Sequence, residues 1–128
     1  MDKAPALHSF WSSFGIPAID EQSAYDNPTA EELLLLPMYI TYESAIGSFD
    51  GFVAIGADLW HRSASWAAIS QKADEIMNAI GLGGKLVPYD NGAIWITQAD
   101  PVIQRLPADT NYEIRRIHIN INAEYLSV

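Results

Sequence analysis

Residues 52–84 read FVAIGADLWHRSASWAAISQKADEIMNAIGLGG, and this stretch decides the fold because a strand pattern turns into a helix pattern within it. Val53, Ile55, Ala57 and Leu59 alternate with Phe52, Ala54, Gly56, Asp58 and Trp60, the period of two that puts one side of a strand in a core. The period then changes. Trp66, Ile69, Ala73, Ile76, Met77 and Ile80 form one stripe of a 3.6-residue repeat, while Ser70, Gln71, Lys72, Asp74, Glu75 and Asn78 take the wet side. Ser63 or Ser65 is placed to accept from an unpartnered amide of the first turn. Gly81 is the natural stop, because glycine adopts the left-handed conformation that closes a helix, and Leu82 beyond it is set to touch Met77.

Working outward, Leu7, Phe10, Trp11 and Phe14 lie at helical spacing in residues 6–14, and Gly15 and Pro17 end that short aromatic helix. Residues 16–37 are acidic, carry prolines at 17, 28 and 37, and read as a long connection, with Thr29 and Glu32 spaced as a capping box for a turn or two of helix. Residues 38–43 alternate Met38, Ile40 and Tyr42 against Tyr39, Thr41 and Glu43, a strand. After the long helix, Asp90-Asn91-Gly92 marks a tight turn between two short strands, and Pro88 confines the first of them to an edge or a ladder end. Residues 99–111 hold two prolines and read as a loop. In residues 112–125, Ile117, Ile119, Ile121, Ala123 and Tyr125 alternate with Arg116, His118, Asn120, Asn122 and Glu124. Ile114 is out of phase with Ile117, so a β-bulge at Arg115-Arg116 is expected. The expected fold is α+β in the order α-β-β-α-β-β: one domain over residues 1–128, with a mostly antiparallel four- to five-stranded sheet and two helices packed on one face.

Composition narrows the function. The chain has 128 residues, no cysteine, and sixteen Asp and Glu against seven Lys and Arg, for a net charge of −9. That charge repels phosphate backbones and anionic lipid, so neither specific nucleic-acid binding nor membrane binding is expected. No apolar run is long enough for a signal peptide or a membrane span, and a cytoplasmic protein is expected. Catalytic templates each lack a part. His8, His61 and His118 lie on different elements without ligand spacing, so no metal is expected. Ser65, His61 and Asp58 can be named as a triad, yet no nucleophile elbow accompanies them and the serines serve better as helix caps. GLGG at 81–84 follows a helix where a phosphate loop would open one. The acidic pairs 20–21, 31–32 and 74–75 sit on loops or on the polar helix face, where solvation explains them. The sequence is therefore read as non-enzymatic and without a cofactor.

Its anomaly is aromatic. If Val53, Ile55 and Leu59 meet the helix, Phe52 and Trp60 face the other way, and Trp95 opposes Ile94 and Ile96 in the same fashion. Two readings stand side by side: the aromatics form an interface, or the first helix or residues 16–37 fold over them.

The phrases FWSSFGIPAIDE, YITYESAIGSF, LWHRSASWAAISQKADEI, PYDNGAIWI and IRRIHININAEYLSV, taken in this order over most of the chain, resemble the tail-terminator or tail-completion proteins of long-tailed bacteriophages and prophages. The segment NPTAEELLLLP departs from that pattern in being longer. The resemblance implies a structural α+β subunit that forms a homo-oligomeric ring, a hexamer, which caps the tail tube, ends its polymerisation and meets head-completion proteins. It also implies a place at the tail–head junction of the virion after assembly in the host cytoplasm. The alternatives are a head–tail connector or other neck protein, and a small hydrolase. A ring needs two different patches per chain. The expected contacts are Val102, Ile103, Arg105 and Leu106 of the 99–111 loop, together with Phe52, Trp60 and Trp95.

Overall fold

The computed structural model describes residues 2–21, 32, 35–44, 51–107 and 113–127. In chain order its elements are α1 (Lys3–Ser12), β1 (Ala18–Asp20), β2 (Met38–Tyr42), β3 (Gly51–His61), α2 (Ala67–Ile80), β4 (Lys85–Tyr89), β5 (Gly92–Leu106) and β6 (Arg115–Ser127). The strands make one six-stranded sheet in the order β1-β2-β3-β6-β5-β4. All neighbours are antiparallel except β1 and β2, which are parallel. The α+β class is as expected, but the sheet is larger than the expected four to five strands and it is mixed.

The extra strand is Ala18–Asp20, inside the stretch read as a connection. Three residues show no period, so no alternation could reveal it. Its pairing is shown by Ile40 N donating to Pro17 O at 2.9 Å and Glu21 N donating to Tyr42 O at 3.0 Å. Parallel neighbours need a crossover of a dozen residues or more, which explains the long segment between β1 and β2. Thr29 of the expected capping box lies outside the described residues.

One face of the sheet supplies the core. Ile40 and Tyr42, Ile55, Ala57 and Leu59, Ile94 and Ile96, and the β6 set from Ile117 to Tyr125 are all buried. Ile69, Ala73, Ile76 and Ile80 of α2 pack on that face, as their stripe predicts. Helix α1 adds Ala6, Leu7, Phe10 and Trp11 and contacts β1 at one edge of the sheet and β4 at the other. A helix can touch both edges only if the sheet wraps toward it, and the sheet is curled into a half-barrel. Trp11 stacks on Tyr42 at 6.1 Å between ring centres, the Tyr42 hydroxyl lies 2.7 Å from His8 Nδ1, and Lys72 Nζ donates to Phe14 O at 2.9 Å, tying α2 to the end of the α1 segment.

Local signals around α2 are partly confirmed. Ser65 Oγ accepts from Ala67 N at 3.1 Å, although Trp66 occupies the cap position itself. Gly81 ends the helix at φ 71°, and its N–H reaches Met77 O. Leu82 is fully exposed, so it does not seal the helix end.

Two further expectations are overturned. Strand β6 pairs with β3 without a break from Arg115 to Tyr125, so Arg115-Arg116 carries no bulge. Ile114 keeps the phase its position dictates and lines a small cleft with Tyr39 and Trp60, on the side away from the helices. The irregularity lies instead in β5, where the register with β6 shifts between Gln98 and Ile103. The segment read as a 99–111 loop is thus strand as far as Leu106, with a bulge at residues 99–102. Pro88 sits on edge strand β4, as expected, and Asn91 closes the β4–β5 turn with φ 68°.

Because Ile76 is fully buried and Gln71 exposed, Ile76→Ala should cost about 2–5 kcal/mol in a denaturant titration while Gln71→Ala stays within about 0.5 kcal/mol; equal effects would mean that the helix face is misassigned. A second expectation concerns alkali. Burial, and next Asp20, raises the Tyr42 phenol well above its ordinary value, and burial, with Tyr89 second, raises Tyr125 to about 12. A raised folded pKa contributes stability that is complete below the unfolded value of about 10 and is lost as pH rises through the folded value. The urea midpoint should therefore fall between about pH 10 and 12, together with the appearance of phenolate absorbance. Ionisation of all tyrosines near pH 10 with no loss of stability would contradict this packing.

Candidate interaction surface

Among the described residues no helix packs on the second face of the sheet, and the residues of that face follow from the strand registers. At the β4 end, Phe52 is opposite Glu124, Glu124 opposite Trp95, and Trp95 opposite Leu86, so these four form one row across β3, β6, β5 and β4. Phe52 is 64% exposed, Leu86 61% and Trp95 40%, large values for such side chains. Leu126 and Trp95 line a shallow cleft of about 460 Å³ with Gly83, Gly84 and Leu86. The indole is held there by its Nε1, which donates to Gly83 O at 3.1 Å. Gly84 has φ 86° and any side chain on it would collide with the Trp95 ring, so both backbone and space require glycine.

The centre of the same face is polar. Asp58 is almost buried and its Oδ1 accepts from Arg116 Nε and pairs with His118 Nδ1, each at 2.9 Å. The pairing follows from the sheet, since Asp58 is directly opposite His118 and Arg116 is two residues away on the same side. A buried carboxylate is tolerated when it is hydrogen-bonded in this way. Beside it, Gly56 N donates to Glu43 Oε2 at 3.4 Å. A methyl group built at Gly56 would lie 2.9 Å from His118 Cε1 and 3.1 Å from Glu43 Oε1, so the absent side chain makes room for both. The β5 bulge forms the opposite wall. Gln98 pairs with Ile121 and Ile103 with Ile119, leaving residues 99–102 facing Asn120 alone. Asn120 Nδ2 secures that bulge by donating to Pro101 O at 3.0 Å and Gln104 Oε1 at 3.1 Å.

At the far end, Trp60 stacks on Tyr39 with ring centres 6.2 Å apart, donates to Thr41 Oγ1 at 3.0 Å and lies beneath the Arg116 guanidinium. Leu106 is opposite Arg116 on the same face. Eight residues of strand separate Trp60 from Phe52, about 26 Å at 3.3 Å per residue. The expected contact residues are thus divided. Phe52 and Trp95 share one end of the open face, while Trp60 and Leu106 share the other. Ile103 faces the helices and packs against the core. Arg105 also turns to that side, with its guanidinium 4.9 Å from the Trp66 ring and Nη2 donating to Ser70 Oγ at 3.2 Å. Val102 lies in the bulge and is half-buried.

Ser65, His61 and Asp58 do not converge. Asp58 and His61 are three residues apart on one strand and so face opposite sides; Asp58 is engaged by Arg116 and His118, and Ser65 Oγ accepts from Ala67 N at the start of α2. Among the described residues no group of three or more His, Cys, Asp or Glu is arranged to hold a metal ion. The pairing of Asp58 with His118 was not read from the sequence, because the two lie sixty residues apart and only the β3–β6 register brings them together. Gly56, a glycine in a strand interior, was the available signal of a close approach.

No protein-family model matches the sequence, and no curated protein matches it. Among solved structures the fold has a likeness to a chain 11% identical in sequence, with a TM-score of 0.60 over 97% of this chain and 93% of that one. At that identity the likeness is one of fold.

Proposed function

We propose that the protein is a structural subunit of a bacteriophage particle that assembles into a ring, caps the tail tube, ends its polymerisation and joins tail to head. The observation that carries this reading is the exposed apolar patch of Trp95 and Leu86, with Phe52 in the same row beyond Glu124, on a sheet face that no helix covers among the described residues. Contiguous apolar surface of this kind on a small domain marks a contact with another protein. A second, chemically different patch at Trp60, Arg116 and Leu106 lies at the far end of the same face. Two distinct patches per subunit are what a head-to-tail ring requires. The phrase-by-phrase resemblance of the sequence to tail terminators supplies the phage context, with tail-tube and head-completion proteins as further partners and the tail–head junction as the place of action. A net charge of −9 suits a ring through which DNA passes without adhering.

Mass measurement in solution followed by electron microscopy tests the reading. The wild type should form rings, alone or with the tail-tube protein as template, whereas Phe52→Asp should lower the mass and leave the thermal midpoint within a few degrees, since it places a charge in the contact and none in the core. Ile103→Asp should instead unfold the subunit. A wild type that stays monomeric at high concentration and in the presence of tail-tube protein would overturn the proposal.

A further inference from the structure

We infer that the cleft at the centre of the open sheet face is a receptor for a guanidinium or alkylammonium group. The cleft holds about 390 Å³ and is bounded by Glu43 and Gly56 on one side, His118 and Asn120 on its floor, and the Asp100-Pro101 bulge opposite. What it presents is almost wholly acceptor. His118 Nδ1 lies 2.9 Å from the Asp58 carboxylate, and in the tautomer that donates this hydrogen the Nε2 lone pair faces the cleft. Glu43 contributes a carboxylate whose Oε2, among the described residues, has just the long 3.4 Å bond from Gly56 N, and Asp100 lines the opposite wall with a second carboxylate. The Asn120 amide, the obvious donor, is already spent on Pro101 O and Gln104 Oε1.

The spacing of these groups selects the ligand. No hydrogen bond or ion pair joins Glu43 to His118, although both approach the space over Gly56 at 3.1 and 3.2 Å. A donor with several N–H groups satisfies both at once: a guanidinium can engage a carboxylate with two parallel bonds and give a third hydrogen to the imidazole. Ala54 and Pro101 supply apolar wall for the methylene stem that carries such a head group. Gly56 is integral to the site because a side chain there would occupy the position of the bound group. This inference stands apart from ring formation, since the cleft is complete within one chain.

The probe is N-acetyl-arginine methylamide, titrated into the full chain at mildly alkaline pH, where imidazole is neutral, with calorimetry and the His118 Cε1–H resonance as readouts. Saturable binding with a shift of that resonance is expected, weakened at least about tenfold by Glu43→Gln, a change at an exposed side chain that leaves the fold intact. Gly56→Ala should abolish it; if that variant does not fold, Glu43→Gln carries the test. Where the probe also dissociates an oligomer, and Arg62→Gln or Arg105→Gln lowers the mass without changing probe binding, the natural occupant is an arginine of a neighbouring copy. Where the probe binds and the mass is unaffected, the occupant is a free small cation, and the receptor is again supported. No saturable shift at millimolar probe, equal binding by Glu43→Gln, or a response to zinc ions alone would overturn it.

Discussion

The register of β6 is the constraint on which the structure depends. Its core face, Ile117 to Tyr125, is buried completely between neighbours on both sides, and a slip of one residue would turn every isoleucine to water and every polar side chain to the helices. With a methylene worth about 0.8 kcal/mol on burial, such a slip is prohibitive. The same register that satisfies the core also arranges the opposite face, for it brings Asp58 to His118 and aligns Phe52, Glu124 and Trp95 in a row. The outer face is thus a by-product of the inner one.

The second organising element is α1. Its aromatic side fills the hollow of the curled sheet, with Trp11 on Tyr42 and Phe10 edge-on to both Trp11 and Phe14. Helix α2 packs mainly on β3, β6 and β5, and α1 reaches β1 and β4 at the two edges. Both described helices lie on the core side of the sheet, so α1 is not the cover for Phe52 and Trp95. Both stay exposed, and α1 lies on the other side of the sheet.

Elements with a sustained period were legible from sequence: α2, β3 and β6 appear with their faces as read, and Pro88 at its edge. What escaped reading has a common physical cause. β1 is too short to show a period, and residues 99–106 lose theirs because a bulge breaks the alternation midway; two prolines then suggested a loop where the strand continues. The out-of-phase Ile114 was explained by an extra residue, whereas the strand simply starts after it at Arg115. Of the surface, the outward aromatics could be assigned to a face but not to a neighbourhood, since parity alone does not say that Phe52 and Trp95 share a row across Glu124 while Trp60 is distant. The polar centre was hidden altogether, being a product of pairing between strands remote in the chain.

The two outermost strands have a consequence for how copies can meet. β1 offers only three residues, and β4 carries Pro88, which has no amide hydrogen to lend to an incoming strand. Continuation of the sheet from one molecule into the next is therefore blocked on one side by brevity and on the other by a missing donor. An open-ended fibril, in which each new chain templates the following one through its backbone, is closed to this fold.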